Sequence, residues 1–480
     1  MRAGSVLAID QGTSSTKAVV VGADGTVGAV SEVPVRSRAV PGGGVEQDPA
    51  ELWESVCTAA RGAVAAGGGV DAVALANQGE TVLAWDRRTG EPLSAAIVWQ
   101  DRRAETVCDR LRASEDTVAQ VTGLRLDSYF AAPKMTWLRE QGVTGGVVTT
   151  TDAWLLHRLT GRFVTDAATA SRTALLDLDA CAWSPAMTAL FGIGEADLPE
   201  IADCAGVLGT TTLLGTEIPV AGAAVDQQAA LFAQGCHRPG EAKCTYGTGA
   251  FLLASTGKAA VRSGAGLVSS VAWRIGGEVS YCLDGQVYAV GSAVDWLARL
   301  GVIDGPAGLD SCAAGRPAGP ETFVPALAGL AAPYWAPSAR GALAGLGLDS
   351  DRAAVVRAVV EGIAASVAAL ASAVAADLGR PLTRLRADGG LTRSRALMQA
   401  QADLLQVPVE VYSTPHATAL GVAALARLGL GWVTGPAEAA SFPGAAPAVT
   451  VAPRCSADEA AGRRARWDAA VEAVLRGAGG

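Results

Sequence analysis

The sequence predicts an α/β protein built as two lobes with a cleft between them. An apolar segment joined to a Gly-Thr turn runs from Val6 to Val21 (V-L-A-I-D-Q-G-T-S-S-T-K-A-V-V-V) and returns in altered form at Thr245–Leu253 (T-Y-G-T-G-A-F-L-L). Strand-like and helical stretches are mixed in both halves, as in a duplicated α/β unit. At 480 residues the chain is long for one domain and comfortable for two. Half of it is hydrophobic and only 18% charged, enough for a large core and too apolar for disorder.

Residues 5–10 and 17–22 read as two strands of a hairpin around Gly12-Thr13-Ser14-Ser15, with Asp24-Gly25 marking the next turn. A third strand is expected at Ala72–Leu75, and helical periodicity at Ala50–Ala65, Arg103–Arg112 and Lys134–Glu140. Trp99-Gln100-Asp101-Arg102-Arg103 closes the apolar run Ala95–Val98 and presents polar groups at a strand end. Ile218–Val225 is a strand-like stretch that hands over to a helix at Ala229–Ala233, which puts Asp226 at a favoured N-cap position. The second lobe starts near Gly235, giving lobes of 1–234 and 235–480. Within it Gly301–Pro320 resembles a linker and Val355–Leu378 a long Ala/Val helix. Leu385–Asp388 reads as a strand whose Gly389-Gly390 turn opens a helix at Leu397–Leu405.

A net charge of −9 argues against a sequence-independent nucleic-acid binder, though not against one nucleotide in a locally positive cleft. The nine cysteines form no C-x-x-C pair, which fits reduced thiols and a cytoplasmic setting. Three histidines without metal-ligand spacing make a zinc site improbable. No signal peptide is legible, and the apolar Val355–Leu378 stretch is interrupted by Arg357, Glu361 and Asp377, so no membrane partner is expected.

Asp10-Gln11-Gly12-Thr13-Ser14-Ser15-Thr16-Lys17 offers what a polyphosphate needs: N–H and O–H donors, a cation, and a carboxylate for the accompanying Mg²⁺. An ordinary hairpin whose acid caps its own turn is the plainer alternative, and no G-x-x-x-x-G-K-[ST] sequence is present. Asp226 is either a plain helix cap or the carboxylate that accepts a proton from an attacking hydroxyl. Asp388-Gly389-Gly390 is either a tight turn or a flat surface for a base or ribose. Asn77-Gln78-Gly79-Glu80 offers groups for a polyhydroxylated ligand, and Trp99, Tyr129 and Phe251 a wall for a carbon chain, unless these are simply turn and core.

In their order along nearly the whole chain, these motifs resemble the FGGY carbohydrate kinase family of the actin-like ATPase superfamily, and its glycerol kinase branch most. The matching stretches include L-A-I-D-Q-G-T-S-S-T-K (7–17), N-Q-G-E-T (77–81), A-I-V-W-Q-D-R-R (96–103) and T-G-L-R-L-D-S-Y-F (122–130). D-A-A-T-A-S-R-T (166–173), A-V-D-Q-Q-A-A-L-F (224–232), T-Y-G-T-G-A-F (245–251) and A-D-G-G-L (387–391) continue the series. The resemblance implies ribonuclease-H-like lobes and transfer of phosphate from ATP–Mg²⁺ to a terminal hydroxyl of a small polyol or sugar. It makes Asp10 the Mg²⁺-associated acid and turns Thr13, Ser14 and Ser15 toward the phosphates, with Lys17 in place of an arginine. Asp226 becomes the base and Gln227 its substrate-binding neighbour. Thr248, Gly291, Asp295, Gly390 and Ser394 fall at nucleotide-contacting positions, Asp295 and Ser394 replacing glutamine and asparagine. Glu80, Trp99, Tyr129 and Phe251 match the polyol pocket. A homodimer or homotetramer is compatible with this reading.

Departures from the pattern bear on the acceptor. The arginine of the N-Q-R-E motif is Gly79 here, which removes a charge-assisted hydrogen bond and suggests empty room for a longer polyol or keto-sugar, or weaker hold on glycerol. Asp101 adds a polar group reminiscent of the sugar-kinase branches, and Glu217 reverses the charge expected at a fructose-bisphosphate site. A pentulose kinase such as xylulokinase is therefore the nearest alternative. An actin- or chaperone-like ATPase without a sugar acceptor and a catalytically idle sugar-binding regulator are the rivals of other classes.

Overall fold

The computed structural model describes residues 4–313, 316–412, 414–441 and 446–478. Its centre is a 13-stranded mixed sheet. In chain order the strands are β1 (Val6–Gln11), β2 (Ser15–Val21), β3 (Val27–Pro34), β4 (Ala72–Asn77), β5 (Ala205–Thr211) and β6 (Ile218–Val225) from the first half. The second half supplies β7 (Ala242–Tyr246), β8 (Ala250–Gly257), β9 (Val268–Ile275), β10 (Glu278–Val287), β11 (Leu385–Asp388), β12 (Val409–Val411) and β13 (Val449–Val451). Across the sheet they run β13-β12-β11-β7-β8-β10-β9-β5-β6-β4-β1-β2-β3.

The order contains the same unit twice. β3, β2 and β1 pair antiparallel, after which β4 and β6 add in parallel. β10, β8 and β7 likewise pair antiparallel, and β11 and β12 add in parallel. One parallel pairing, Ala205 with Ile275, joins the two halves. This is the two-lobed, ribonuclease-H-like arrangement of an actin-like ATPase. The apolar side chains of β1 and β4 are buried on both faces of the sheet, as parallel pairing with helices on each side requires.

Helices cover both faces. α1 (Pro49–Gly67) starts at Asp48, whose carboxylate accepts the Ala50 amide, and carries proline at its first position, where no amide partner is needed. α2 (Asp226–Ala233), α3 (Gly291–Arg299), α4 (Arg352–Leu378), α5 (Arg395–Leu405) and α6 (Ala417–Gly429) belong to the site and its support. α6 comes from the second half, yet its Leu420 and Val422 share one core with Ala8, Ala74 and Phe232. A Cβ on Gly421 would stand 1.9 Å from the Ala229 carbonyl oxygen, so only glycine lets α6 approach α2 this closely. α4 is the one helix among the described residues long and apolar enough to cross a membrane, and 78% of its most apolar window is buried in protein.

Three expectations need correction. Asp226 is the first residue of α2, not its cap; Val225 holds the cap position, and the Asp226 carboxylate accepts only the adjacent Gln227 amide, at 2.6 Å. The helix sought at Arg103–Arg112 spans Glu105–Arg110, because the Arg103 amide is drawn back to Asp101. The linker-like Gly301–Pro320 contains a helical turn at Gly308–Ala313, while its residues 314–315 lie outside the described part.

Candidate active site

β1 and β6 both pair in parallel with β4, so their carboxyl ends lie side by side. Asp10 and Ala224 each stand opposite Ala76, two strand spacings or roughly 10 Å apart. Asp226 follows two residues later, where β6 turns into α2. Both residues are half-buried, and of the two only Asp226 lines the cavity between the lobes. Burial pushes Asp10 up to about 7, the negative charge of Asp226 adds to the rise, and Lys17 opposes it. Burial raises Asp226 as well, with Lys243 pulling it back.

Beside Asp226 lies a cavity of about 450 Å³ between the lobes. One rim is the first Gly-Thr turn, through Thr13 and Ser14; the other is the second, through Gly247, Thr248 and Gly249. Asp226, Gln227, Glu80, Trp99, Tyr129 and Phe251 line the same space. The turns are tied down. The Gly12 amide bonds the Ser15 carbonyl at 3.0 Å, and the amides of Val290 and Gly291 bond the carbonyls of Thr248 and Gly247. Trp99 stands edge-on to Tyr129 at 5.6 Å and to Phe251 at 6.4 Å, forming the aromatic wall. Its indole N–H donates to the Thr13 hydroxyl at 2.9 Å, linking the wall to the first turn.

A second cavity of about 510 Å³ adjoins the first, and Gln227 and Thr245 line both. Lys17, Gly389 and Gly390 bound it. Gly389 has φ +95°, and a Cβ there would meet the Tyr246 carbonyl oxygen at 2.4 Å; the glycine is what lets the turn lie flat against β7.

Other predicted residues stand outside these linings. The Ser15 hydroxyl donates to Glu32, which also pairs with Lys17 at 3.6 Å. Gly291 supports the second turn from behind, and Asp295 is exposed one turn along α3. Ser394 caps α5 and donates its hydroxyl to Asp310 at 2.6 Å. Asp101 is fully buried and spent on the Val45 amide and the Arg103 guanidinium, so it offers nothing to an acceptor. Glu217 accepts from Thr210 at 2.8 Å.

Three residues that carry the site's electrostatics were not named as candidates, although Arg172 lies in the D-A-A-T-A-S-R-T stretch (166–173). Arg172 is 4% exposed and donates to Glu80 at 2.6 Å and to Asp284 at 2.5 Å. Glu80 is itself held at φ +58°, a left-handed conformation costly for a side-chain-bearing residue. Lys243, fully buried, donates to the Gln227 amide oxygen at 2.6 Å and the Thr245 hydroxyl at 2.8 Å, which orients Gln227 beside Asp226. The signal available was a single charge inside an apolar stretch: Lys243 between Ala242 and Cys244, and Asp284 between Leu283 and Gly285. Phe251 and Asp284 come from the second half, so the acceptor-side lining draws on both.

Among the described residues no group of three or more His, Cys, Asp or Glu side chains could hold a metal by itself. Among the described residues no donor hydrogen-bonds the Asp10 carboxylate, whose charge burial and Asp226 both disfavour. Such a group fits a hard dication bound mainly by phosphate oxygens and water, with one carboxylate alongside.

Residues 5–233 match the N-terminal domain, and residues 242–430 the C-terminal domain, of the FGGY family of carbohydrate kinases. The chain is 42% identical over 489 residues to the glycerol kinase of Alkalilimnicola ehrlichii, covering 97% of each protein. It is 44% identical over 443 residues to that of Gloeobacter violaceus, covering 89% of each. Among solved structures, Plasmodium falciparum glycerol kinase with ADP superposes with a TM-score of 0.92 at 30% identity, covering 98% of both chains. The xylulose kinase of Rhodospirillum rubrum gives 0.89 at 26% identity, covering 99% of this chain and 100% of that one. With its duplicated sheet and interlobe cavity, the chain belongs to the FGGY family of carbohydrate kinases.

Proposed function

We propose that the protein transfers the γ-phosphoryl group of ATP to a terminal hydroxyl of glycerol or a polyol of similar size. The observation that carries this is one cavity lined by Asp226, both Gly-Thr turns and the Trp99–Tyr129–Phe251 wall. The full-length relatives named glycerol kinase, 42–44% identical, favour glycerol over a pentulose.

Glu80 would accept from acceptor hydroxyls while the aromatic wall covers the carbon chain. Asp226, whose carboxyl pKa burial raises and Lys243 pulls back, would take the proton of the terminal hydroxyl. As that oxygen bonds the γ-phosphorus, the bond to the β,γ-bridging oxygen breaks and ADP leaves with those electrons. Thr13 and Ser14 from one lobe and the Thr248 turn from the other would surround the transferring group with donors, with Ser15 and Lys17 behind them. Asp10 would hold Mg²⁺, which supplies positive charge to the phosphates. The base and ribose would lie against Gly389-Gly390, with Gly291, Asp295 and Ser394 as nearby support. We take residues 1–234 and 235–480 as the lobes that close to exclude water.

A coupled assay for ADP, with ATP–Mg²⁺ and a panel of glycerol, erythritol, xylitol, xylulose, ribulose and gluconate, tests this. Glycerol should give the highest kcat/KM. A pentulose ahead of glycerol would move the enzyme to the xylulokinase side, and ATP hydrolysis indifferent to all of them would reject an acceptor altogether.

A further inference from the structure

Gly79 does not leave the room that its lack of a side chain suggests. A Cβ built on Gly79 would lie 2.9 Å from Cγ2 of Val225, closer than such carbons approach. The register explains the contact. Val225 stands opposite Asn77 across β6 and β4, and the chain from Asn77 to Glu80 passes over its side chain. Val225 is 3% exposed and lines the acceptor cavity directly before Asp226. Its β-branched side chain is stiff about χ1, so it cannot swing aside as a longer chain would. The position from which a side chain at residue 79 would start is therefore occupied by a methyl group of residue 225.

The charges around this wall add a second constraint. Glu80, Asp226 and Asp284 bring three carboxylates to the cavity, and Arg172 gives its Nε to Glu80 and its Nη1 to Asp284. No arginine stands at position 79 to receive an anionic or strongly polarised acceptor group.

We infer that Val225 is a specificity-determining residue, forming with Gly79 one steric unit that closes the acceptor pocket with an uncharged aliphatic wall. The acceptor class is then a short, uncharged polyol: chain length is limited by Val225, and a carboxylate such as that of an aldonate is repelled. This rests on the kinase reading above and concerns the same site.

The test is a double-mutant cycle of Val225→Gly and Gly79→Ala, with Val225→Ala as a milder second variant and thermal melting to show that each is folded. The readouts are kcat/KM for glycerol, erythritol, xylitol and gluconate at saturating ATP. Val225→Gly should raise the erythritol-to-glycerol ratio by about tenfold or more, the effect of about one to two methyl groups in an apolar pocket. Val225→Ala should move it in the same direction by less. Gly79→Ala should lower kcat/KM for glycerol at least about fivefold, and adding Val225→Gly should recover most of it, since residues in contact are non-additive. Gluconate should stay a poor acceptor throughout. An active parent whose acceptor ratio is unchanged in both folded Val225 variants, or strictly additive effects of Gly79→Ala and Val225→Gly, would overturn the inference and leave the kinase reading standing. A parent that turns over no acceptor sinks the kinase reading, and the inference with it.

Discussion

Arg172 donates through Nε to Glu80 at 2.6 Å, although 92 positions of sequence separate the two residues. The same guanidinium bonds Asp284, 112 positions further on, at 2.5 Å. One buried cation thereby holds a carboxylate from each half beside the interlobe cavity. Burial pushes Glu80 and Asp284 above their ordinary range, and Arg172 pulls them back.

Removing that cation should be severe. Arg172→Met leaves two buried carboxylates without their partner, and a broken buried pair costs about 3–5 kcal/mol. Arg172→Lys should rescue little, because a point charge cannot bridge both carboxylates as a planar fork does. Denaturant unfolding reads the loss directly. A drop below about 1 kcal/mol would mean the carboxylates are not held ionised by Arg172.

Asp226→Asn keeps the shape of the cavity and removes the proton acceptor. Turnover should fall by about 10²–10⁴, the usual contribution of a general base. ATP affinity, read by nucleotide titration, should change little. Near-normal turnover would exclude Asp226 as the base.

The pH dependence follows from the same carboxyl. A base must be ionised, and burial raises Asp226 above the ordinary carboxylate value of 3.8. Activity should therefore be lost as pH falls through a midpoint above that value. Lys243 pulls this pKa down, so Lys243→Met should move the acid limb of kcat/KM to higher pH. It also leaves Gln227 and Thr245 without their donor, at about 1–3 kcal/mol of stability for each buried group left unpaired. An unmoved acid limb in a folded Lys243→Met protein would show that another group controls the profile.

The second Gly-Thr turn can be loosened from behind. A Cβ at Gly291 would meet the Gly247 carbonyl oxygen at 2.6 Å, and that atom is backbone, unable to rotate away. Gly291→Ala should raise the KM for ATP by about tenfold, matching about 1–3 kcal/mol of overpacking, with the KM for glycerol less affected. Equal effects on both constants would place the disturbance in lobe closure instead.

Much was legible locally. The β1–β2 hairpin, β4, the span of β6 and the long α4 follow from hydrophobic period and turn residues, which act over a few positions. The duplicated Gly-Thr turn announced two lobes with a gap between them, and family motifs drew attention to Asp10, Glu80 and Asp226. What lay beyond reach was pairwise. No local pattern tells that α6 from the second half completes the core of the first, or that the Asp101 carboxylate turns away to Arg103.

Gly79 shows the division most plainly. By itself the sequence determined the periodic elements, the two phosphate-type turns and the absence of a side chain at position 79, since each is a property of neighbouring residues. The tertiary structure alone decided that a Val225 methyl group stands against position 79, that Arg172 is shared by Glu80 and Asp284, and that Asp226 lines the common cavity. Those are distances between segments remote in the chain, and the packing of strands, turns and helices, not residue type at one position, sets them.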